Sequence, residues 1–171
     1  MKTKKDIVRI LRRNKYNWCK KEVNKALNFL KGFRNNATIS EIVEKMRNEL
    51  WAYRWALEVG DRRLMIKKIK SSKWAYYWAR YIGNRKIMIK KIKGSKWAYH
   101  WALYIGDRRL MKKEIKSSEW AYYWALYIGN RRSMINKIKS SEWAYYWMRN
   151  IGDRKIMMKK VKGSKWSHTI D

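Results

Sequence analysis

The sequence predicts an all-α protein: an α-solenoid of about five 23-residue helix-turn-helix repeats behind an N-terminal helical cap. Three observations predict it. Tryptophan recurs every 23 residues, at Trp51, Trp74, Trp97, Trp120, Trp143 and Trp166, and each opens nearly the same text. The copy at Trp74 is WAYYWARYIGNRKIMIKKIKGSK and that at Trp120 is WAYYWALYIGNRRSMINKIKSSE. Self-similarity at a short fixed period marks units that bury their apolar faces against the next copy. Serine and Gly-Asp or Gly-Asn recur at constant offsets, as helix punctuation does. Finally, the 171 residues contain no proline, so nothing interrupts the segments between those marks.

Residues 1–50 do not follow the repeat. They predict two or three amphipathic helices, about Lys4 to Asn14, Asn17 to Lys31 and Ile39 to Leu50. Thr38 and Glu41 have capping-box spacing before the last of these. Such a segment either covers the first exposed repeat face, which solenoids require, or binds a partner or a second copy. The repeat region then runs over 51–171, continuous with the cap as a single domain, and the tail WSHTID reads as a degenerate, frayed sixth repeat.

Within a repeat, the first helix is expected from about Lys73 to Ile82. Ser72 is placed to cap it, with Ser95, Ser118, Ser141 and Ser164 at the same position. Gly83 ends it, as do Gly60, Gly106, Gly129 and Gly152, because glycine accepts the left-handed conformation that closes a helix. Asn84, or Asp61, Asp107 and Asp153 in other copies, is expected to cap the second helix, from about Arg85 to Lys93. At about 100° per residue, Trp74, Trp78 and Ile82 share a face with Ala75 and Ala79 beside them. Met88, Ile89 and Ile92 form the apolar stripe of the second helix, and these stripes are expected to be core.

The chain carries 44 Lys and Arg against 13 Asp and Glu, a formal charge of +31. That imbalance calls for a polyanionic partner. Twelve Trp, twelve Tyr and 46% hydrophobic residues argue against disorder. The cations are periodic. Lys86, Lys90 and Lys93 lie at i, i+4 and i+7 of the second helix. Their counterparts are Arg63, Lys67 and Lys70; Arg109, Lys113 and Lys116; Arg132 and Lys139; and Lys155, Lys159 and Lys162, with Asn136 the one gap. Lys68, Lys91, Lys137 and Lys160 add a neighbouring row, and Glu114 is the sole acid in the five second-helix bodies. An ordinary solvated face interleaves Glu with Lys, which this one does not. The stacked helices would therefore carry a ribbon that binds phosphate backbones by counterion release.

Arg62, Arg85, Arg108, Arg131 and Arg154 follow each turn, toward the core side. They either stack on tryptophan and bond helix-end carbonyls, or clamp phosphates at the loop edge. Tyr76, Tyr99, Tyr122 and Tyr145, with Tyr77, Tyr123 and Tyr146, are expected toward the exposed side, while Tyr81, Tyr104 and Tyr127 border the core. Exposed rings could stack on unpaired bases or fill grooves between helices.

The unit WAYxWAxxIG[DN]R, after a serine and at a 23-residue period, resembles short helical-hairpin repeats of bacterial and bacteriophage proteins, which often read like PEYAYKYAKDVIKGR. The resemblance covers about residues 51 to 166 and implies stacked helical hairpins, with little implication for activity. More broadly the chain is similar to HEAT-type α-solenoids, some of which grip duplex DNA along a basic concave surface. Lysine here replaces many acidic positions of the shorter repeats, which favours a polyanion partner over an acidic-surface role.

Catalytic signatures are missing from the sequence. His100 and His168 are the only histidines, Cys19 is alone, and no metal-ligand spacing or Gly-rich phosphate loop occurs. No cofactor and no enzymatic activity are expected. The chain opens without the apolar run of a signal peptide, and its apolar stretches are too short to span a membrane, so a cytoplasmic location is expected. The expected partner is DNA or RNA. The alternative is a protein-binding scaffold or phage-encoded inhibitor acting on an acidic protein or a nucleoprotein such as a CRISPR effector. A third reading is attachment to an anionic membrane surface.

Overall fold

The structure, a computed structural model, describes residues 3–13 and 20–169. The expected helix ends at Asn14 and Asn17, together with Cys19, lie outside them. Every regular element among the described residues is helical, and the chain divides into two compact units, Met1–Asn84 and Arg85–Asp171.

In the first unit α1 (Lys4–Arg13) buries Ile7 and Leu11 against α2 (Lys20–Lys31), which contributes Val23, Ala26 and Leu30. The capping box opens α3 (Ile39–Lys45): Glu41 N donates to Thr38 Oγ1 at 3.3 Å, and Thr38 N donates to the Glu41 carboxylate at 2.7 Å. The last N-terminal helix was expected to reach Leu50, but α3 stops at Lys45. Met46 turns extended (φ −72°, ψ 121°), and the Asn48 side chain then caps α4 (Glu49–Glu58) by accepting from Trp51 N. Next come α5 (Arg62–Met65), a 3₁₀ turn at Ile66–Lys68, and α6 (Ser72–Tyr81).

The segment expected to stand outside the repeat carries its register. Ile42 and Met46 are buried 23 residues before Met65 and Ile69, and Met46 shares the extended backbone of Ile69 (φ −78°, ψ 116°). Lys68 Nζ donates to the Glu44 carbonyl at 3.0 Å, and the Phe29 ring meets Trp51 at 5.4 Å much as Tyr53 meets Trp74 at 5.3 Å. Helices α2 and α3 thus supply the neighbour that the first repeat lacks.

The second unit holds α7 (Arg85–Met88), α8 (Ser95–Tyr104), α9 (Arg108–Met111), α10 (Ser118–Tyr127), α11 (Arg131–Ile135), α12 (Ser141–Asn150) and α13 (Arg154–Val161). Short 3₁₀ segments at Ile89–Lys91 and Lys112–Glu114 continue α7 and α9. Helix α10 packs between α8 and α12.

Two expectations about local geometry are corrected. The second helix is not one α-helix from Arg85 to Lys93: it is four α residues and a 3₁₀ turn, after which Ile92 is extended (φ −75°, ψ 115°). Met88 and Ile92 nevertheless both reach the core, at 0% and 1% exposure, Ile92 from the extended residue that follows the 3₁₀ turn. The residue after the turn glycine does not cap the second helix either. Gly106 (φ 116°) and Asp107 (φ 53°) are both left-handed, as are the equivalent pairs, and no side-chain cap forms at Asp61, Asp107, Asn130 or Asp153. Asp and Asn serve there because they tolerate positive φ. The freed carboxylate accepts an indole N–H instead: Trp101 Nε1 donates to Asp107 Oδ2 at 3.2 Å and Trp147 Nε1 to Asp153 Oδ2 at 3.1 Å.

The apolar face of the first helix is also rotated from expectation. Ala75, Tyr76, Trp78 and Ala79 are buried, whereas Trp74 and Ile82 are half-buried. Tyr76, Tyr99 and Tyr122, expected toward solvent, are 3–7% exposed. Tyr81, Tyr104 and Tyr127, expected at the core border, are 54–62% exposed. A helix flanked on both sides buries a wider arc than a wheel with one buried face allows, and the buried Tyr99 and Tyr122, like the half-buried Tyr145, meet the next repeat's tryptophan. Tyr99–Trp120 is 5.3 Å, Tyr122–Trp143 5.4 Å and Tyr145–Trp166 5.2 Å between ring centroids. Such pairs add about 0.5–1.5 kcal/mol each beyond their burial. Trp166 therefore closes the aromatic row rather than fraying.

Candidate nucleic-acid interface

The short second helices position the cations. Arg63, Lys67, Lys70, Lys86, Lys90, Lys93, Arg109, Lys113, Lys116, Arg132, Lys139, Lys155, Lys159 and Lys162 are all exposed. They do not share a helical face at i, i+4 and i+7, because Lys70, Lys93, Lys116 and Lys139 lie beyond the end of the helix. Lys86 lies in α7 and Lys90 in the 3₁₀ turn Ile89–Lys91, so the two are not on one continuous α-helix. Only α13 is α-helical throughout, and it carries Lys155 and Lys159 on one face.

The neighbouring lysine row is a different element from the ribbon. Lys137 Nζ donates to the carbonyls of Lys112 and Ile115, both at 2.6 Å. Lys160 Nζ repeats the pattern on Ile135 and Ile138, at 3.0 and 2.5 Å. Lys68, Lys91, Lys137 and Lys160 are half-buried where the ribbon lysines are exposed. Burial pushes Lys137 and Lys160 below the usual lysine range, and Lys112 adds repulsion at Lys137. Lys137 and Lys160 thus hold neighbouring repeats together, and Glu114 takes that position in one copy.

The serines expected as caps do the same work from the other end. Ser95 and Ser118 begin their helices as first residues, with Gly94 and Ser117 at the cap position, and Ser117 Oγ accepts from Trp120 N. Ser72 and Ser141 likewise start theirs behind Ser71 and Ser140. Ser164 keeps a local role, accepting from Trp166 N ahead of the 3₁₀ segment Lys165–Thr169. Ser118 Oγ instead accepts from Lys139 N at 2.8 Å and Ser140 N at 3.1 Å, while Ser95 Oγ accepts from Lys116 N at 2.7 Å and Ser117 N at 3.1 Å. Glu49 fills that position in the first repeat, its carboxylate accepting from Lys70 N and Ser71 N. These bonds lock the backbone of Lys70, Lys116 and Lys139, and in the second unit the side chains of Lys116 and Lys139 leave fixed points one repeat apart.

Arg62, Arg85, Arg108, Arg131 and Arg154 are exposed, not turned toward the core. Arg131 Nη1 donates to the Ile151 carbonyl at 2.9 Å, at the end of the next repeat's first helix. A groove of about 700 Å³ opens beside it, lined by Arg131, Arg132, Ile135, Ile151 and Ile156 among others. On the first helices, parallel ring pairs Tyr77–Tyr81, His100–Tyr104 and Tyr123–Tyr127 lie 6.2–6.3 Å apart. Among the described residues no group of three His, Cys, Asp or Glu could hold a metal, and no helix is long and apolar enough to cross a membrane.

What sequence reasoning missed is a row of exposed aliphatic side chains inside the basic ribbon: Ile87 at 44%, Leu110 at 52% and Ile156 at 46% exposure. Their signal was visible as an apolar residue two positions after four of the five turn arginines, with Ser133 the exception. Comparison with protein-family models, with curated proteins and with solved structures gives no match to this chain.

Proposed function

We propose that this protein binds nucleic acid through its phosphate backbone, using the basic ribbon of the second helices, without catalysis. The observation that carries the reading is that all fourteen ribbon cations are exposed while a separate lysine row ties the repeats together. Structural work thus falls to Lys137 and Lys160, and the ribbon set is exposed. The reading takes the hairpins as an α-solenoid, which the succession α8–α10–α12 and the 23-residue register of the lysine and serine bonds support. Unrelieved like charge on such a surface is costly unless a polyanion neutralises it.

The test is retention on DNA, RNA and heparin at rising salt. Binding should weaken steeply between about 50 and 200 mM salt. Replacing Lys86, Lys90, Lys113 and Lys116 with Gln should lower the slope of log affinity against log salt by about 3–4, with an unchanged helical spectrum. Unchanged affinity in that variant rejects the ribbon. Capture of an acidic protein that survives high salt and nuclease treatment rejects nucleic acid as the partner.

A further inference from the structure

We propose that the C-terminal unit takes unpaired rather than duplex nucleic acid, each exposed aliphatic side chain contacting a base between lysine-bound phosphates. The inference rests on the phosphate-binding reading above and names its substrate class. Phosphate binding alone has no use for Ile87, Leu110 and Ile156, which stand 44–52% exposed on a strongly cationic surface.

The local geometry couples each of them to a cation. Ile87 and Lys90 are three residues apart across the junction of α7 with its 3₁₀ turn, Leu110 and Lys113 across that of α9, and Ile156 and Lys159 are about one turn apart on α13, a spacing that makes helical residues neighbours. Leu64 and Lys67 have the same spacing in the first unit. The fourth repeat is informative because it loses both partners together: Ser133 stands for the aliphatic residue and Asn136 for the lysine. The Ser133 hydroxyl donates to the Asn130 carbonyl at 2.9 Å, so the position accepts a polar residue without disturbing its turn. The aliphatic side chain is therefore not required by the fold.

The chemistry of the ligand follows. A duplex presents phosphates outward and hides its base faces in the stack, so aliphatic groups pressed against it meet charge and water. Inserting them as wedges would unstack one base step per repeat, at a cost of a few kcal/mol each. An unpaired strand offers apolar base faces beside its phosphates, and its recognition combines a cationic track with apolar or aromatic contacts to bases. One aliphatic group and its lysine per repeat match one base and its phosphate.

The experiment measures binding of the full chain to a fluorescent oligothymidylate and to a mixed-sequence duplex of equal length, from about 50 to 400 mM KCl. The native chain should prefer the single strand by about tenfold or more. The variant Ile87→Ser, Leu110→Ser, Ile156→Ser should lose about tenfold affinity for the single strand at an unchanged salt slope, with duplex binding unaffected. The reverse variant, Ser133→Leu with Asn136→Lys, adds a fourth pair to the unit and should bind the single strand more tightly than native, which keeps the test decisive if the first variant folds poorly. Equal affinity for both ligands, untouched by either variant, overturns the inference and leaves the phosphate reading standing. No binding to either ligand at the lowest salt overturns both. Dependence on the aliphatic residues only toward anionic phosphatidylserine vesicles, or only toward a Glu-Leu alternating peptide, assigns the row to a membrane or a protein and overturns the inference.

Discussion

Lys137 Nζ lies 2.6 Å from the carbonyl oxygen of Ile115, the residue that ends the second helix of the preceding repeat. The same ammonium also reaches the Lys112 carbonyl, which the Ile115 N–H bonds only at 3.4 Å, so one side chain serves two oxygens at the C-terminal end of a short helix. A cation at a helix C-terminus also meets the negative end of the backbone dipole. The second helices are too short to stand alone, and this contact, repeated by Lys160 on Ile138, gives two of them an end that belongs to a neighbour.

Lys137→Met should therefore cost stability while leaving most phosphate binding in place. Loss of two charge-assisted hydrogen bonds predicts about 1.5–3 kcal/mol in urea denaturation. Lys139→Gln, two residues on and exposed, should change stability by less than about 0.5 kcal/mol yet weaken nucleic-acid binding. If both variants behave alike, the division of labour between the two rows is wrong.

Glu114 occupies the position of Lys68, Lys91, Lys137 and Lys160. Glu114→Lys places an ammonium one register step beyond the carbonyls of Ile89 and Ile92 and should raise stability by about 1 kcal/mol. A calorimetric melting temperature at or below native would count against the contact as a general repeat feature.

Gly106→Ala tests the turn. A Cβ there would meet nothing within 4 Å, so any penalty is conformational rather than steric crowding by neighbours. With φ at +116° the cost should be at least about 1 kcal/mol, read as a shift in urea midpoint at constant slope.

Alkaline titration tests the buried tyrosines. Burial, acting more strongly than the other influences, holds Tyr53 and Tyr99 above their ordinary value of 10.0. Above that pH the unfolded chain releases these protons before the folded chain does. The folded state then binds more protons, so stability is intact below 10.0 and falls as pH rises through the folded values. Lys137 and Lys160 act in the opposite sense, since their depressed values make stability climb with pH up to 10.5. Tyrosinate absorbance should show a late-ionising fraction that disappears in urea, and a stability decline above pH 10 that Tyr99→Phe reduces.

Much of the architecture was legible in the sequence. The 23-residue period, the Gly-Asx turn, the buried Trp101 and Trp124, and the Thr38–Glu41 capping box all follow from local chemistry, because each depends on residues within one turn or one hairpin. The all-helical class follows from them. The register of Ile42 and Met46 was also present in the sequence but masked, since no tryptophan accompanies it.

What the tertiary structure decided is which of several equivalent residues meets the neighbouring copy. Tyr99 is buried and Tyr104 exposed because α10 lies against one side of α8, a fact that a single helix does not contain. Lys137 and Lys139 are two lysines two residues apart, alike in composition and propensity. Only the carbonyls presented by the previous repeat make one a structural tie and leave the other facing solvent, because a hydrogen bond needs a partner placed within about 3 Å and placement comes from packing.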